Sequence, residues 1–259
     1  MSKLFANSGE CPCIAHTFAL TSSILEPIPH FPIENEALIL LNSVIDEPLV
    51  FDEIRIFEQD NPCPACGRPC DRIGHHAIAY GVHGERISCH NEICGILFRT
   101  AQKAGLGPAR EFRGLIPGTA ARPADVFLRC WDRGRDSALD VTVITPLQPA
   151  VVDREAQESG YALQYAWDRK MSKAYDACNA QRISFIPLPV ETFGGWHPVA
   201  SRHISRLGRE LARSPANSSQ ESTTKHLFQR LALSIQKGNV AIIRSRSTDI
   251  HHLDMLGGF

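Results

Sequence analysis

The sequence predicts a mixed α/β (α+β) fold: a two-stranded hairpin, a long helix, a third strand and then further helices. Three observations carry this. Two apolar, β-branched runs, Ala124–Leu128 and Ala138–Ile144, flank the polar turn Asp132-Arg133-Gly134-Arg135-Asp136. After Pro146 and Pro149 a long helix is expected from about Arg154 to Ala180, its start marked by Asp153. The proline-bounded run Ile183–Val190 then reads as one more strand, and this order sets helices against a small sheet.

Taken in order, residues 1–60 are punctuated by proline and hold two Lys/Arg against ten Asp/Glu. Their apolar runs Ala15–Leu25 and Ala37–Ile45 read as helices, parted by Pro27-Ile28-Pro29. Residues 62–88 crowd Cys63, Cys66, Cys70, His75 and His76 among glycines, with little room for regular structure. A helix is expected from about His90 to Ala104, with Ile93, Ile96, Leu97 and Ala101 on one face and Gly105 as its stop. The hairpin occupies 122–145 and ends at Pro146 and Pro149. Asp153 is a good N-cap for the long helix that follows. Gly194-Gly195-Trp196 is a turn. Helices are expected at Pro198–Arg213 and Thr224–Arg244, joined by a polar, disordered-looking Ser214–Ser222, with Gly238 interrupting the second. Four regions result: an acidic N-terminal part (1–61), the Cys/His cluster (62–88), the α/β core (89–198), and C-terminal helices with a tail (199–259).

Composition bounds the function. An apolar content of 43% over 259 residues supports a sizeable core. No run approaches the roughly 18 apolar residues of a membrane span, and the N-terminus lacks the pattern of a signal peptide. The expectation is therefore an intracellular protein, in which clustered cysteines read as metal ligands before disulfides. The net charge of −1 hides a basic body after residue 60. Arg99, Lys103, Arg110, Arg113, Arg122, Arg129, Arg133 and Arg135 could meet a polyanion, although solvated surface charge accounts for them nearly as well.

The chemistry concentrates on Asp125 and Asp140, one in each strand of the hairpin. A carboxylate inside an apolar run is costly to bury unless its charge is compensated. If the turn centres near Gly134, the two fall within about three residues of cross-strand register, where they would share a hydrated Mg²⁺. The alternative is that each merely caps or ends its strand. Lys170 and Lys173 lie three apart on one face of the following helix. Either could bring a cation to that pair and stabilise transition-state charge, or both are exposed helix lysines. Cys63-Pro64-Ala65-Cys66 with His75 or His76 makes half of a zinc site. Cys70, His83, Cys89 and His90 are the candidates for a fourth ligand. Trp131, Trp167 and Trp196 read as core or turn anchors, Cys130 and Cys178 as buried small apolar residues, and His251 and His252 as part of an unpatterned tail. Glu191 either supports the site or lies on the surface.

An ordered series of motifs resembles a known family. It comprises Cys63-Pro64-Ala65-Cys66-Gly67, Asp71-Arg72-Ile73-Gly74-His75-His76-Ala77, His90-Asn91, Ala104-Gly105-Leu106, Arg122-Pro123-Ala124-Asp125-Val126, Leu139-Asp140-Val141-Thr142-Val143 and Glu191-Thr192-Phe193-Gly194-Gly195-Trp196. It is similar to the C-terminal region of non-LTR retrotransposon polyproteins, where a reverse transcriptase is followed by a zinc knuckle and a restriction-like endonuclease. The similarity runs from about residue 37 to about 246. It implies a PD-(D/E)xK endonuclease core that binds DNA (or RNA), cuts it with Mg²⁺ and acts in the nucleus. Asp125 and Asp140 would be its metal-binding carboxylates, and Lys170 or Lys173 its displaced lysine. Arg122 and its basic neighbours would hold the phosphate backbone. Cys63, Cys66 and one of His75 or His76 would be zinc ligands. The chain departs from the pattern at three places. Thr142 stands where such nucleases usually carry lysine, Tyr80 where the knuckle has its fourth cysteine, and Cys89 where an arginine is usual. The reverse transcriptase is absent from the chain. The implied activity is DNA nicking, with a non-catalytic nucleic-acid-binding remnant of the same fold as the rival. A structural protein with coincidental Asp and Cys/His clusters is the third reading.

Overall fold

The computed structural model describes residues 61–71, 74–79, 84–213 and 220–246. The helices expected at Ala15–Leu25 and Ala37–Ile45, and Tyr80, His83, His251 and His252, lie outside the described residues. The elements are β1 (Asn61–Pro62), β2 (Pro69–Cys70), α1 (His75–Ala79), α2 (Glu85–Lys103), β3 (Ala109–Arg110), β4 (Val126–Asp132) and β5 (Arg135–Ile144). They continue with α3 (Val152–Glu155), α4 (Tyr161–Ala180), β6 (Ser184–Glu191), α5 (Pro198–Ala212) and α6 (Gln220–Arg244). The class is α/β, as expected.

Strands β3 to β6 form a mixed sheet in chain order, antiparallel across β3, β4 and β5 and parallel between β5 and β6. A parallel pair needs a long crossover, and α4 supplies it. β6 is an edge strand, which is where Pro187 and Pro189 can sit without breaking a ladder. One sheet face (Val126, Leu128, Leu139, Val141, Ile186, Leu188) packs with Ile93 and Leu97 of α2, Ile204 and Leu207 of α5, and Leu231 and Ile235 of α6. The other (Phe127, Ala138, Phe185) packs with Cys178, Met171 and Ala174 of α4. The helices beyond residue 198 therefore share the sheet's main core. The Cys/His region keeps a small cluster of its own, Cys63, Cys70 and Ala77, against Ile243 of α6.

The β4–β5 hairpin sets the site. Arg133 and Gly134 both have positive φ (49° and 76°), the type I′ pattern suited to a two-residue hairpin turn. The register begins as Asp132↔Arg135 and becomes Leu128↔Ser137, so Arg129, Cys130 and Trp131 stand against Asp136 alone. Cys130 takes φ 50° in this bulge, and its N–H donates to the Asp136 carboxylate at 3.0 Å. Continued unbroken from the turn, the register would set Asp125 against Thr142. The bulge slides it by two residues, to Val126↔Leu139, and so brings Asp125, whose N–H donates to the Leu139 carbonyl at 2.9 Å, alongside the Asp140 stretch of β5. A shift of two preserves which side chains share a face.

Several boundaries differ from expectation. Helix α2 starts at Glu85 rather than near His90. Arg86 in its first turn donates to the carbonyls of Ile78 and Ala79 (2.7 Å each), closing the end of α1. The long helix starts at Tyr161, not Arg154, and Asp153 does not cap it. Gly160 adopts φ 86° there, and the buried Glu155 carboxylate accepts from the N–H groups of Gly160 (2.7 Å) and Ala162 (2.5 Å). This is a negative charge on a helix N-terminus. The strand pair β1/β2 and helix α1 occupy a region expected to be irregular. Gln220 to Ser222, expected to be disordered, belong to α6. Gly238 does not interrupt that helix. A Cβ there would stand 2.7 Å from Cys89 Sγ, so glycine permits the close approach of α2 and α6. Cys178 is buried as expected, but Cys130 is exposed because the bulge turns it out of the ladder. Among the described residues, no helix is long and apolar enough to cross a membrane.

Candidate functional site

Asp140 lies on the α4-facing side of β5, and α4 carries Lys170 to it. Nζ stands 2.7 Å from Asp140 Oδ2. Lys173, three residues on, is exposed and makes no ion pair among the described residues. One helical turn thus separates a lysine in the site from one in water.

Asp125 is held from two directions by a single oxygen. Its Oδ2 accepts from the Val141 N–H at 2.7 Å and lies 3.1 Å from His90 Nε2. The sequence offers His90 as a fourth zinc ligand for the Cys/His cluster; the structure places it at Asp125 instead. The signal in the sequence is the pair His90 and Cys94, four apart on one face of α2. Among the described residues neither Asp125 Oδ1 nor Asp140 Oδ1 has a hydrogen-bond partner, so each aspartate keeps one oxygen for a ligand.

Electrostatics separate the two carboxyls. Burial works to raise Asp125, but the His90 hydrogen bond and charge, with the Val141 N–H, outweigh it and hold the group below its usual range. Burial wins at Asp140, raised to about 6 despite Lys170, with the Asp125 charge adding to the rise. His90 is pushed up to about 11, first by its hydrogen bond to Asp125 and then by that to Cys94. Two carboxylates therefore face two cations, and the site is close to neutral before any ligand arrives. Its oxygen donors suit a hydrated Mg²⁺, which takes one or two carboxylates and keeps its waters.

Glu191 is neither on the surface nor at this pair. It is buried at the end of β6, and burial, with the Glu155 charge second, raises it to about 7. Among the described residues its Oε1 has no hydrogen-bond partner. The tryptophans are anchors, as expected. Trp131 donates to His203 Nδ1 at 3.1 Å and lies under the Arg206 guanidinium, which also donates to the Trp131 carbonyl. Trp167 stacks on His197 at 4.4 Å, and Trp196 bridges back to Val190.

In the Cys/His region, ligand atoms of Cys63, Cys66 and His76 lie within 4.8 Å of one another, with Cys66 Sγ 3.2 Å from His76 Nε2. His75 is not part of this group. Burial works to raise the Cys63 thiol, but hydrogen bonds involving the Ala65 and Cys66 backbone bring it below its usual value, which favours a thiolate. Two sulfurs and an imidazole fit Zn²⁺. Cys89 is not a fourth ligand. It is buried against Gly238, with Sγ 3.9 Å from the Ser234 carbonyl. Cys70 is the remaining candidate among the described residues, beside Cys63 in the same cluster. Burial and the Cys63 charge push its thiol up to about 12.

The basic residues divide. Arg122 pairs with Glu111 at 2.9 Å, both exposed, and Arg99 pairs with Glu92 at 3.1 Å. Arg135 is spent on the Arg182 carbonyl and Asn179. The described residues also form a basic concavity that the sequence reading did not single out. Arg133 lines it with Arg202, His203, Arg206 and Arg209 of α5. The three α5 arginines recur at helical spacing, which would have marked them. No protein-family model matches the chain, and no curated protein matches it significantly.

Proposed function

We propose that this protein is a metal-dependent DNA endonuclease that nicks one strand by phosphodiester hydrolysis, descended from the tail of a non-LTR retrotransposon polyprotein and acting in the nucleus. The observation that carries the reading is Lys170 on Asp140, with Asp125 bonded to the β5 residues on either side, Leu139 and Val141. The chain-order mixed sheet with helices on both faces supports a PD-(D/E)xK core. Asp125 and Asp140 would hold Mg²⁺ through their unclaimed oxygens, and the bound ion would supply an activated water and a Lewis acid at the phosphate. Lys170 is placed to stabilise charge developing on the scissile phosphate. Val141 and His90 fix the Asp125 carboxylate in orientation. Arg122 can exchange Glu111 for a backbone phosphate, and the α5 arginines extend the positive surface. Cys63, Cys66 and His76 would hold Zn²⁺ in a knuckle that packs on α6.

The second reading is a nucleic-acid-binding remnant without turnover. It is favoured by the near-neutral charge balance, since Lys170 and His90 already compensate both carboxylates, and by the uncharged Thr142. The deciding experiment is nicking of supercoiled plasmid by the full chain with Mg²⁺ or with chelator, beside Asp125→Asn. Nicking that requires both Mg²⁺ and Asp125 supports the nuclease. Salt-sensitive binding, with no cleavage in any metal, supports the remnant.

A further inference from the structure

His90, Cys94 and Asp125 make a second set of metal donors, separate from the Cys63 knuckle. His90 Nε2 is 3.1 Å from Asp125 Oδ2 and 3.6 Å from Cys94 Sγ, and the three ligand atoms all lie within 4.8 Å of one another. A tetrahedral zinc with bonds of about 2.0–2.3 Å has N···O and N···S edges of about 3.3 and 3.5 Å. The observed N···O and N···S separations lie within a few tenths of an ångström of those edges. Two donors come from successive turns of α2 and the third from the start of β4, so helix packing on the sheet sets the triangle. Cys94 is buried while His90 and Asp125 are partly open to solvent, which leaves a route for an ion and room for a water as fourth ligand.

We propose that His90, Cys94 and Asp125 bind a thiophilic divalent cation such as Zn²⁺. The ion displaces a proton to solvent from the His90 imidazolium and another from the Cys94 thiol. The resulting imidazole and thiolate select it over Mg²⁺, for which this set offers one hard oxygen. Asp125 belongs to both this set and the proposed nuclease centre. Resting on that reading, Zn²⁺ on Asp125 Oδ2 neutralises and fixes the carboxylate whose Oδ1 would hold Mg²⁺, and so inhibits nicking. The chain would then carry a metal-controlled off state.

Binding is tested first, without DNA. Co²⁺ is titrated into the full chain bearing Cys63→Ser and Cys66→Ser, and the thiolate-to-cobalt charge-transfer band is followed. We expect one equivalent with such a band, lost on adding Cys94→Ser. Affinity should fall at least as far as the roughly 10–100-fold that outer-shell changes produce. Because the knuckle variant can lose structure, the otherwise native chain is titrated alongside, with Cys94→Ser and with His90→Gln. Each should remove one bound equivalent while leaving the circular dichroism unchanged. Unaltered stoichiometry in Cys94→Ser, or a band that survives it undiminished, overturns the site. The second arm measures Mg²⁺-dependent nicking against Zn²⁺, where Cys94→Ser should relieve inhibition. Metal binding without nicking in any condition counts against the nuclease reading and leaves the metal site standing.

Discussion

Replacing Asp140 by asparagine separates function from stability, because the carboxylate that the site needs is one the fold resists. Asp140 is raised to about 6 in the native chain, from an ordinary value of 3.8, chiefly by burial. The native state therefore binds a proton that the unfolded chain has released, and stability falls as pH climbs from about 4 through 6. Integrated over the two values, the ionised group costs roughly 3 kcal/mol above pH 7, at about 1.4 kcal/mol per pH unit. The neutral amide of the variant carries no such penalty, but it leaves Lys170 without its 2.7 Å partner. That lysine is partly exposed and can turn to water, so Asp140→Asn should gain about 1–3 kcal/mol at pH 8 and about a third of that at pH 4.5. Urea unfolding of both proteins at the two pH values measures it. Mg²⁺ should raise the melting temperature of the native chain alone, because only it retains both carboxylates. If the variant is less stable by the same amount at both pH values, the Lys170 pair outweighs desolvation, and the charge balance argued above is wrong.

Lys170→Ala should lower nicking by about 10²-fold or more with DNA affinity little changed, as removal of a transition-state stabiliser does, while Lys173→Ala leaves both unaltered. Equal effects in a nicking and gel-shift comparison would overturn the assignment of one lysine to the site. Tyr80→Cys supplies a thiol four residues after His76, so competitive zinc titration should show tighter binding and thermal melting a higher midpoint. An unchanged zinc affinity would mean that Cys70 or another group already completes the Cys63, Cys66 and His76 set. Gly238→Ala should destabilise the chain by about 1–3 kcal/mol, since its new Cβ meets Cys89 Sγ at 2.7 Å and Cβ at 2.8 Å. Denaturant unfolding reads this out, and a neutral result would show that α2 and α6 can part at no cost.

The strands, the crossover helix and the two acidic positions were legible in the sequence because their signals are local. Apolar β-branched runs and a short polar turn around Gly134 act within a few positions of themselves, whereas Pro187 and Pro189, expected to bound the third strand, lie inside it because it is an edge strand. The choice of Asp125 and Asp140 rested on the same logic, a charge inside an apolar run. Helix starts were less legible. Arg154 and His90 gave way to Tyr161 and Glu85 because the Glu155 carboxylate and the Arg86 guanidinium bond backbone groups across a loop.

What only tertiary structure decided was which side chains meet. The sequence puts Lys170 and Lys173 on one helix face, but the packing of α4 on the sheet brings one to Asp140 and leaves the other exposed. It offers His75 and His76 equally, and the packing of α1 on the cysteine turn selects His76. It places the two aspartates near each other, and a bulge of three residues against one lets Asp125 bond to Leu139 and Val141, the neighbours of Asp140. His90 and Cys94 acquire a partner 31 or more residues away through the packing of α2 on β4, a contact that no window along the chain contains. Periodicity reports which face of an element is buried; only the folded arrangement fixes what lies across from it.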